Sequence, residues 1–207
     1  NAADIAEVRA RIAGDDLEIR VRLQTITDPA ATHTFGRRYV FADLEQTSVS
    51  LETRLNVNFT PDLSFELYAQ PLLASGDYGT LMELERPRSF EFIRYGTEQG
   101  STISEADAEG QYTVDPDGAG PAESFRVRNR DFNTRSLRGN AVLRWEWRPG
   151  STLYLVWQQN RSETLNALGA DAAFQRVGNF DLRRDGRDLF GLRPNNVFML
   201  KATYWIN

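Results

Sequence analysis

Cysteine is absent from the 207-residue chain, which removes disulfide scaffolds, Cys-ligated zinc and thiol nucleophiles together. Histidine occurs once, as His33, in the predicted loop Ala31-Thr32-His33-Thr34. A histidine general base needs a nucleophile beside it, and no Gly-x-Ser-x-Gly elbow is present. No catalytic, cofactor-binding or metal-ligating residues are therefore assigned, and no enzyme is expected. Positive charge is not in excess: Lys and Arg number 24 against 29 Asp and Glu. Without a basic stripe, nucleic acid is not an expected partner. Also missing is any apolar run near the roughly 20 residues a spanning helix needs. That absence says nothing about membrane strands, whose lipid-facing and lumen-facing residues alternate and average to near-neutral hydropathy.

What the chain does have is period-two alternation. Val49, Leu51, Leu55, Val57 and Phe59 share a face with Thr53, while Ser50, Glu52, Arg54, Asn56 and Asn58 share the other. Thr60-Pro61-Asp62 breaks the run, since proline donates nothing to a ladder and aspartate favours turns. Leu63, Phe65, Leu67 and Ala69 then alternate with Ser64, Glu66, Tyr68 and Gln70. A three-residue connection pairing Phe59 with Leu63 keeps the apolar faces together. It sets Arg54 opposite Tyr68 and brings Glu66 diagonally within ion-pair reach of Arg54.

A second hairpin repeats the logic. Leu137, Gly139, Ala141, Leu143, Trp145 and Trp147 share one face, and Arg138, Asn140, Arg144 and Glu146 the other. Arg148-Pro149-Gly150 turns the chain; Leu153, Leu155 and Trp157 continue the apolar face opposite Thr152, Tyr154, Val156 and Gln158. Leu17, Ile19, Val21 and Leu23 alternate in the same way, as do Phe198, Leu200, Ala202, Tyr204 and Ile206. About six strands result, near 16–27, 46–59, 63–73, 134–147, 151–161 and 196–207, with long loops at 75–132 and 162–194. Most approach the roughly 9–11 residues that a tilted spanning strand requires.

A soluble carbohydrate-binding β-sandwich presents the same one-sided alternation. Three features favour an all-β, antiparallel, up-and-down outer-membrane β-barrel instead. The connections at one end are tight and those at the other long, as in outer-membrane barrels. Phe59, Phe65, Trp145, Trp147, Tyr154, Tyr204 and Trp205 cluster beside the tight turns, where amphipathic rings form a girdle at the headgroup layer; Phe59, Trp145, Trp147 and Tyr204 are its candidate members. Finally, the chain closes on an apolar, aromatic-rich strand of the kind the barrel assembly machinery reads. The tryptophans lie on strands rather than on loops, which argues against a sugar-binding platform.

Single-chain bacterial barrels start at about eight strands, and an open edge in lipid leaves backbone groups unpaired. The chain, opening on Asn1-Ala2-Ala3-Asp4, is thus expected to be the C-terminal fragment of a longer barrel, with 1–207 as one barrel region.

Within the long loops, Ser89 to Tyr95 and Ser124 to Arg128 read as strands that pair with each other. Asp115-Pro116-Asp117-Gly118 reads as a turn, because it lacks the spacing and closing glutamate of an EF-hand loop. Asp181 is placed to cap a short helix running to about Phe190, with Gly186 working against it. With Arg183, Arg184 and Arg187, that segment reads as an ordered loop, the alternatives being a lid or a surface for lipopolysaccharide phosphates.

Several of these stretches resemble a bacterial outer-membrane family catalogued as domain of unknown function 5916. They are Asn58-Phe59-Thr60-Pro61-Asp62-Leu63-Ser64 leading into Leu67-Tyr68-Ala69-Gln70-Pro71; Asp131-Phe132-Asn133; Leu137-Arg138-Gly139-Asn140; Leu143-Arg144-Trp145-Glu146-Trp147-Arg148-Pro149-Gly150-Ser151-Thr152-Leu153; and Asn196-Val197-Phe198 through Lys201 to Tyr204-Trp205. The resemblance covers most of the chain from about Val40 onward. It implies an outer-membrane location and a barrel normally preceded by a carbohydrate-binding module of the family 9 type, and it carries over no catalytic residue.

The expected role is an anchor or conduit in a glycan-related envelope system. Glu52, Arg54, Glu66, Tyr68, Arg138, Arg144, Glu146 and Lys201 would line the lumen, their mixed signs fitting an ion-paired lining better than a selective pore. The expected partners are the lipid bilayer, lipopolysaccharide, the assembly machinery and, through the upstream module, glycans. A soluble carbohydrate-binding sandwich is the alternative, and a barrel hydrolase a weaker one.

Overall fold

A computed structural model describes residues 8–11, 18–21, 24–27, 37–86, 89–167 and 177–206. His33 lies outside them, as do parts of the strand expected near 16–27. The elements in chain order are β1 (Val8–Arg11), β2 (Glu18–Val21), β3 (Gln24–Thr27), β4 (Arg37–Ser50), β5 (Thr53–Thr60), β6 (Leu63–Leu84) and β7 (Phe92–Arg94). They continue with β8 (Thr102–Ile103), β9 (Gln111–Asp115), β10 (Phe125–Arg128), β11 (Phe132–Arg148), β12 (Ser151–Asn166), helix α1 (Leu182–Gly191) and β13 (Asn195–Thr203).

The fold is all-β and mostly antiparallel. One sheet has the order β13-β12-β11-β6-β4-β3, with β5 and β7 also paired to β6; β10-β9-β8 and β1-β2 form two smaller sheets. Among the described residues the path β13-β12-β11-β6-β4-β3 is open, with β13 and β3 at its ends. Its long strands follow one another as neighbours in an up-and-down order, apart from the excursion between β6 and β11.

Several boundaries differ from those the alternation marks. The described part of 16–27 is two strands: β2 pairs with β1, and β3 pairs with β4. The strand expected near 46–59 starts earlier and is interrupted at Leu51 and Glu52, where the Leu51 amide still donates to the Pro71 carbonyl at 3.1 Å. The strand expected to end near 73 runs on through Ser75-Gly76-Asp77 to Leu84. Gly76 marks a close approach there rather than a stop, because an added Cβ would run into the Phe132 ring.

The chain divides into two compact units. The first comprises Asn1–Thr47, Ser75–Asn133 and Leu165–Asn179; the second comprises Ser48–Ala74, Thr134–Thr164 and Phe180–Asn207.

In the first unit Val40, Tyr95, Val114 and Val127 form a buried cluster against which Leu81, Ile103 and Phe125 pack. The two segments expected to pair with each other find other partners. β7 pairs with the end of β6 through Met82↔Arg94 and Leu84↔Phe92, and β10 pairs with β9 through Val127↔Tyr112. The nearer partner closes the smaller loop, which is entropically cheaper, and it brings Val114 and Val127 into one core. Asp115, read as part of a turn, is the last residue of β9, and its Oδ1 accepts from the Gly118 amide at 2.8 Å to close the turn that follows. Arg38 and Glu83 form a buried ion pair at 2.6 Å. Burial raises the Tyr95 phenol above its ordinary range.

The start of β11 is tied down by amides and one carboxylate. Asp131 accepts from the Tyr78 amide at 2.7 Å and from Asn129 Nδ2 at 2.9 Å. Asn133 accepts from the Gly178 amide at 2.8 Å and donates to the Asn179 carbonyl at 3.0 Å. These hydrogen bonds fix Gly178 and Asn179 against the start of β11.

The second unit is built from two hairpins and β13. In the first, Leu55↔Leu67 and Val57↔Phe65 lie directly opposite, as do Arg54↔Tyr68 and Asn56↔Glu66. The turn is Pro61–Asp62 rather than three residues: Thr60 pairs with Leu63, and the extra residue is absorbed as a register shift between Asn58 and Thr60. A bulge at a strand end keeps the faces in register while adding twist. Pro149 and Gly150 turn the second hairpin; Gly150 has φ +78° and lies against Trp205, a conformation that glycine adopts without steric penalty. β12 and β13 pair through Leu153↔Ala202, Leu155↔Leu200 and Trp157↔Phe198.

Candidate functional site

Opposed residues in an antiparallel pair point to one face, so these registers sort the second unit into an apolar face and a more polar one, the latter also carrying Val156, Val197 and Met199. On the apolar face, Leu55, Leu155 and Leu200 are 46%, 44% and 70% exposed. Val49, Leu51, Phe59, Trp145, Trp147, Trp157 and Phe198 are exposed with them. Among the described residues of this unit, the buried apolar side chains are only Leu73, Ala141 and Leu189. Val49, Leu55 and Leu200 do not converge on one another inside a covered core. A soluble monomer rarely exposes a contiguous apolar patch beyond a few hundred Å², and each large aliphatic side chain left in water forgoes about 1.5–3 kcal/mol.

The aromatic residues assigned to a girdle gather at the tight-turn end. The Glu146 amide donates to the Asp62 carbonyl at 2.8 Å, which brings the two turns together. Trp145 and Trp147 meet edge to face, with centroids 6.5 Å apart. Arg148 donates to the Tyr204 hydroxyl at 2.8 Å, with its guanidinium 5.0 Å from that ring, and the Trp205 amide donates to Ser151 Oγ at 3.1 Å. Phe59 stands in the strand irregularity, its ring exposed.

The polar face holds the charged residues read as lumen-lining. Arg54 does not reach diagonally to Glu66: its Nε meets Glu52 Oε1 at 2.9 Å while its guanidinium lies 5.4 Å from the Tyr68 ring. Glu52 sits two residues along the same edge, so the pair needs no cross-strand reach. Arg144 pairs with Glu146 at 3.0 Å, and Lys201 Nζ lies 5.9 Å from the Tyr154 ring. Two shallow concavities indent this face. The one of ≈ 420 Å³ is lined by Arg54, Asn56, Glu66, Tyr68 and Asn140. The other, of ≈ 350 Å³, is lined by Tyr68, Arg138, Asn140, Gln158 and Asn160. Asn56, Asn140, Tyr154, Gln158 and Asn160 complete a face that a reading confined mainly to charges misses; the alternation itself marks them.

Beyond Trp157, the apolar face of β12 turns polar. Trp157 Nε1 and Gln159 Nε2 both donate to Asn196 Oδ1 at 3.0 Å, and Arg161 Nε donates to Gln159 Oε1 at 3.1 Å. Arg161 Nη1 then donates to the Phe190 carbonyl at 2.6 Å, binding the C-terminal end of α1. The helix starts at Asp181, which accepts from the Arg184 amide at 2.8 Å; that hydrogen bond holds its carboxyl below the usual carboxylate range. The inner side of α1 is ionic as well as apolar. Arg135, 4% exposed, meets Asp185, itself 3% exposed, at 3.2 Å, Asp188 at 3.0 Å and Glu163 at 3.2 Å.

Among the described residues there is no cluster of three or more potential metal ligands. No helix among them is long and apolar enough to cross a membrane, which leaves strands untouched by that test. No family model, curated protein or solved structure matches the chain.

Proposed function

We propose that the chain is part of a bacterial outer-membrane β-barrel, with the apolar face of its second unit against acyl chains and the charged face lining the interior. The observation that carries the reading is the uncovered apolar face, bounded at the tight-turn end by Trp145, Trp147 and Tyr204. Hydrocarbon is the solvent such a face fits, and closure with further strands would satisfy the sheet's outer edges. The lining pairs its own charges at Arg54–Glu52 and Arg144–Glu146, which favours an anchor over an ion-selective conduit. The link to a glycan-related envelope system comes from the family resemblance and its sugar-binding module.

Fractionation of the full-length protein tests this. The reading expects it in outer membranes after an alkaline wash, released by detergent. Recovery in the aqueous fraction without detergent would contradict it.

A further inference from the structure

We infer that helix α1 is an interfacial anchor that lies in the lipid headgroup layer and binds headgroup phosphates through Arg183 and Arg187. The inference rests on the apolar face meeting lipid, and it adds a ligand class and the residues that hold it.

The helix stands on the same face of the sheet as the apolar residues. Trp157 and Phe198 stack at the polar rim of that face, and the hydrogen bonds from Trp157 through Asn196, Gln159 and Arg161 run along one face to the Phe190 carbonyl. Four residues of strand separate Trp157 from Arg161, about 13 Å along the chain and roughly 10 Å of height at the tilt of a barrel strand. One headgroup layer is about 5–7.5 Å thick, so the lower side of a helix about 10 Å across centred near that height reaches into it.

Its outward side has the chemistry of that layer. At 100° per residue, Arg183, Arg187 and Phe190 fall within one narrow sector, on the side away from the buried Asp185 and Leu189. Phe190 is 66% exposed, and both arginines are exposed beside it. Guanidinium groups pair bidentately with phosphate, and an aromatic ring among them buries at the acyl boundary as in amphipathic interfacial helices. Arg135 and Arg161 hold the inner side and one end, so the outward face is presented in a fixed orientation.

Because the chain has no cysteine, single substitutions place a reporter without background. Full chains carrying Phe190→Cys, Leu182→Cys or Leu200→Cys, each with an environment-sensitive fluorophore, are folded into phosphatidylcholine vesicles with or without phosphatidylglycerol. The labels at 190 and 182 should be quenched by nitroxides on headgroups, and the label at 200 by nitroxides in mid-chain. Anionic headgroup nitroxides should be enriched at the 190 label by roughly five-fold over zwitterionic ones, and R183Q/R187Q should remove that enrichment. A label at 200 in lipid with those at 190 and 182 in water overturns this inference and leaves the barrel reading standing. Enrichment unchanged in R183Q/R187Q overturns the phosphate assignment. A label at 200 in water overturns the barrel reading and this inference together.

Discussion

Trp157 and Phe198 stack across β12 and β13 with ring centroids 6.4 Å apart and planes 11° from parallel, and both rings are exposed. Paired rings of this kind usually sit in a core or an interface. Here they mark the polar rim of an apolar face that extends over Leu155 and Leu200 towards the tight turns.

The first prediction concerns the middle of that face. Leu200→Arg should destabilise the protein in a bilayer by about 2–4 kcal/mol, the range for an arginine facing lipid near mid-membrane. On a water-facing surface the same change would stay within about 0.5 kcal/mol. Urea unfolding in vesicles, followed by tryptophan emission, separates the two. Met199→Arg, half-exposed on the opposite face, serves as the comparison and should fall in the smaller range.

Arg135 is the second test. Arg135→Ala removes the buried cation shared by Asp185, Asp188 and Glu163 and leaves Arg184, at 3.1 Å, as the cation beside Asp185. Breaking a buried pair from one side costs about 3–5 kcal/mol, and the remaining arginine should hold the loss to the lower end of that range. The expected outcome is loss of amide-exchange protection over 182–191 with the β12–β13 ladder retained. The paired change Arg135→Met with Asp185→Leu should recover only part of the loss, since it removes the buried carboxylate but takes a partner from Arg184, Asp188 and Glu163 and the acceptor from the Asp181 amide.

The two hairpins are legible in the sequence because one face of each strand stays apolar, so the alternation survives on either side of each turn from Leu55 to Leu67 and from Leu137 to Trp157, despite Val142 and Val156 on the other face. The α1 cap is legible as well, since Asp181 acts through residues next to it. Arg135 is not. It continues the apolar series of β11, and its partners Glu163 and Asp185 are 28 and 50 residues away, so no local pattern announces them. The excursion between β6 and β11 is misread for a related reason: Phe92 and Phe125 both alternate acceptably, and only the shorter loop and the shared valine core decide their partners. Arg54 fails differently, because position fixes its face but the flexible guanidinium selects the nearer carboxylate.

Acid titration should show two opposite signs. The folded Asp181 carboxyl lies below its ordinary 3.8 because the Arg184 amide donates to it. Its contribution to α1 is complete above that ordinary value and is lost as pH falls through the lowered one. Asp131 is shifted upward from 3.8, chiefly by burial, so its protonated form favours the fold; stability in the first unit declines as pH rises through the raised value. Carboxyl carbon shifts measured by NMR against pH check both directions. Asp181→Asn should keep the cap at neutral pH, asparagine being an equivalent N-cap, and should abolish this residue's acid sensitivity.

Gly186 lies within α1, and a Cβ added there meets nothing within 4 Å. Gly186→Ala should therefore stabilise the helix by about 0.5–1 kcal/mol, seen as slower amide exchange across 182–191. Gly150→Ala should do the reverse, by about 1–2 kcal/mol, because its φ is +78°.

The central claim is that the greasy side of the second unit dissolves in hydrocarbon. Trp145, Trp147 and Trp157 are exposed on that side, so tryptophan emission reads it directly when the protein is folded into vesicles whose acyl chains carry bromine. The account predicts that most of the emission is quenched by the brominated chains and that aqueous iodide has little effect. Emission untouched by bromine and quenched by iodide would contradict it.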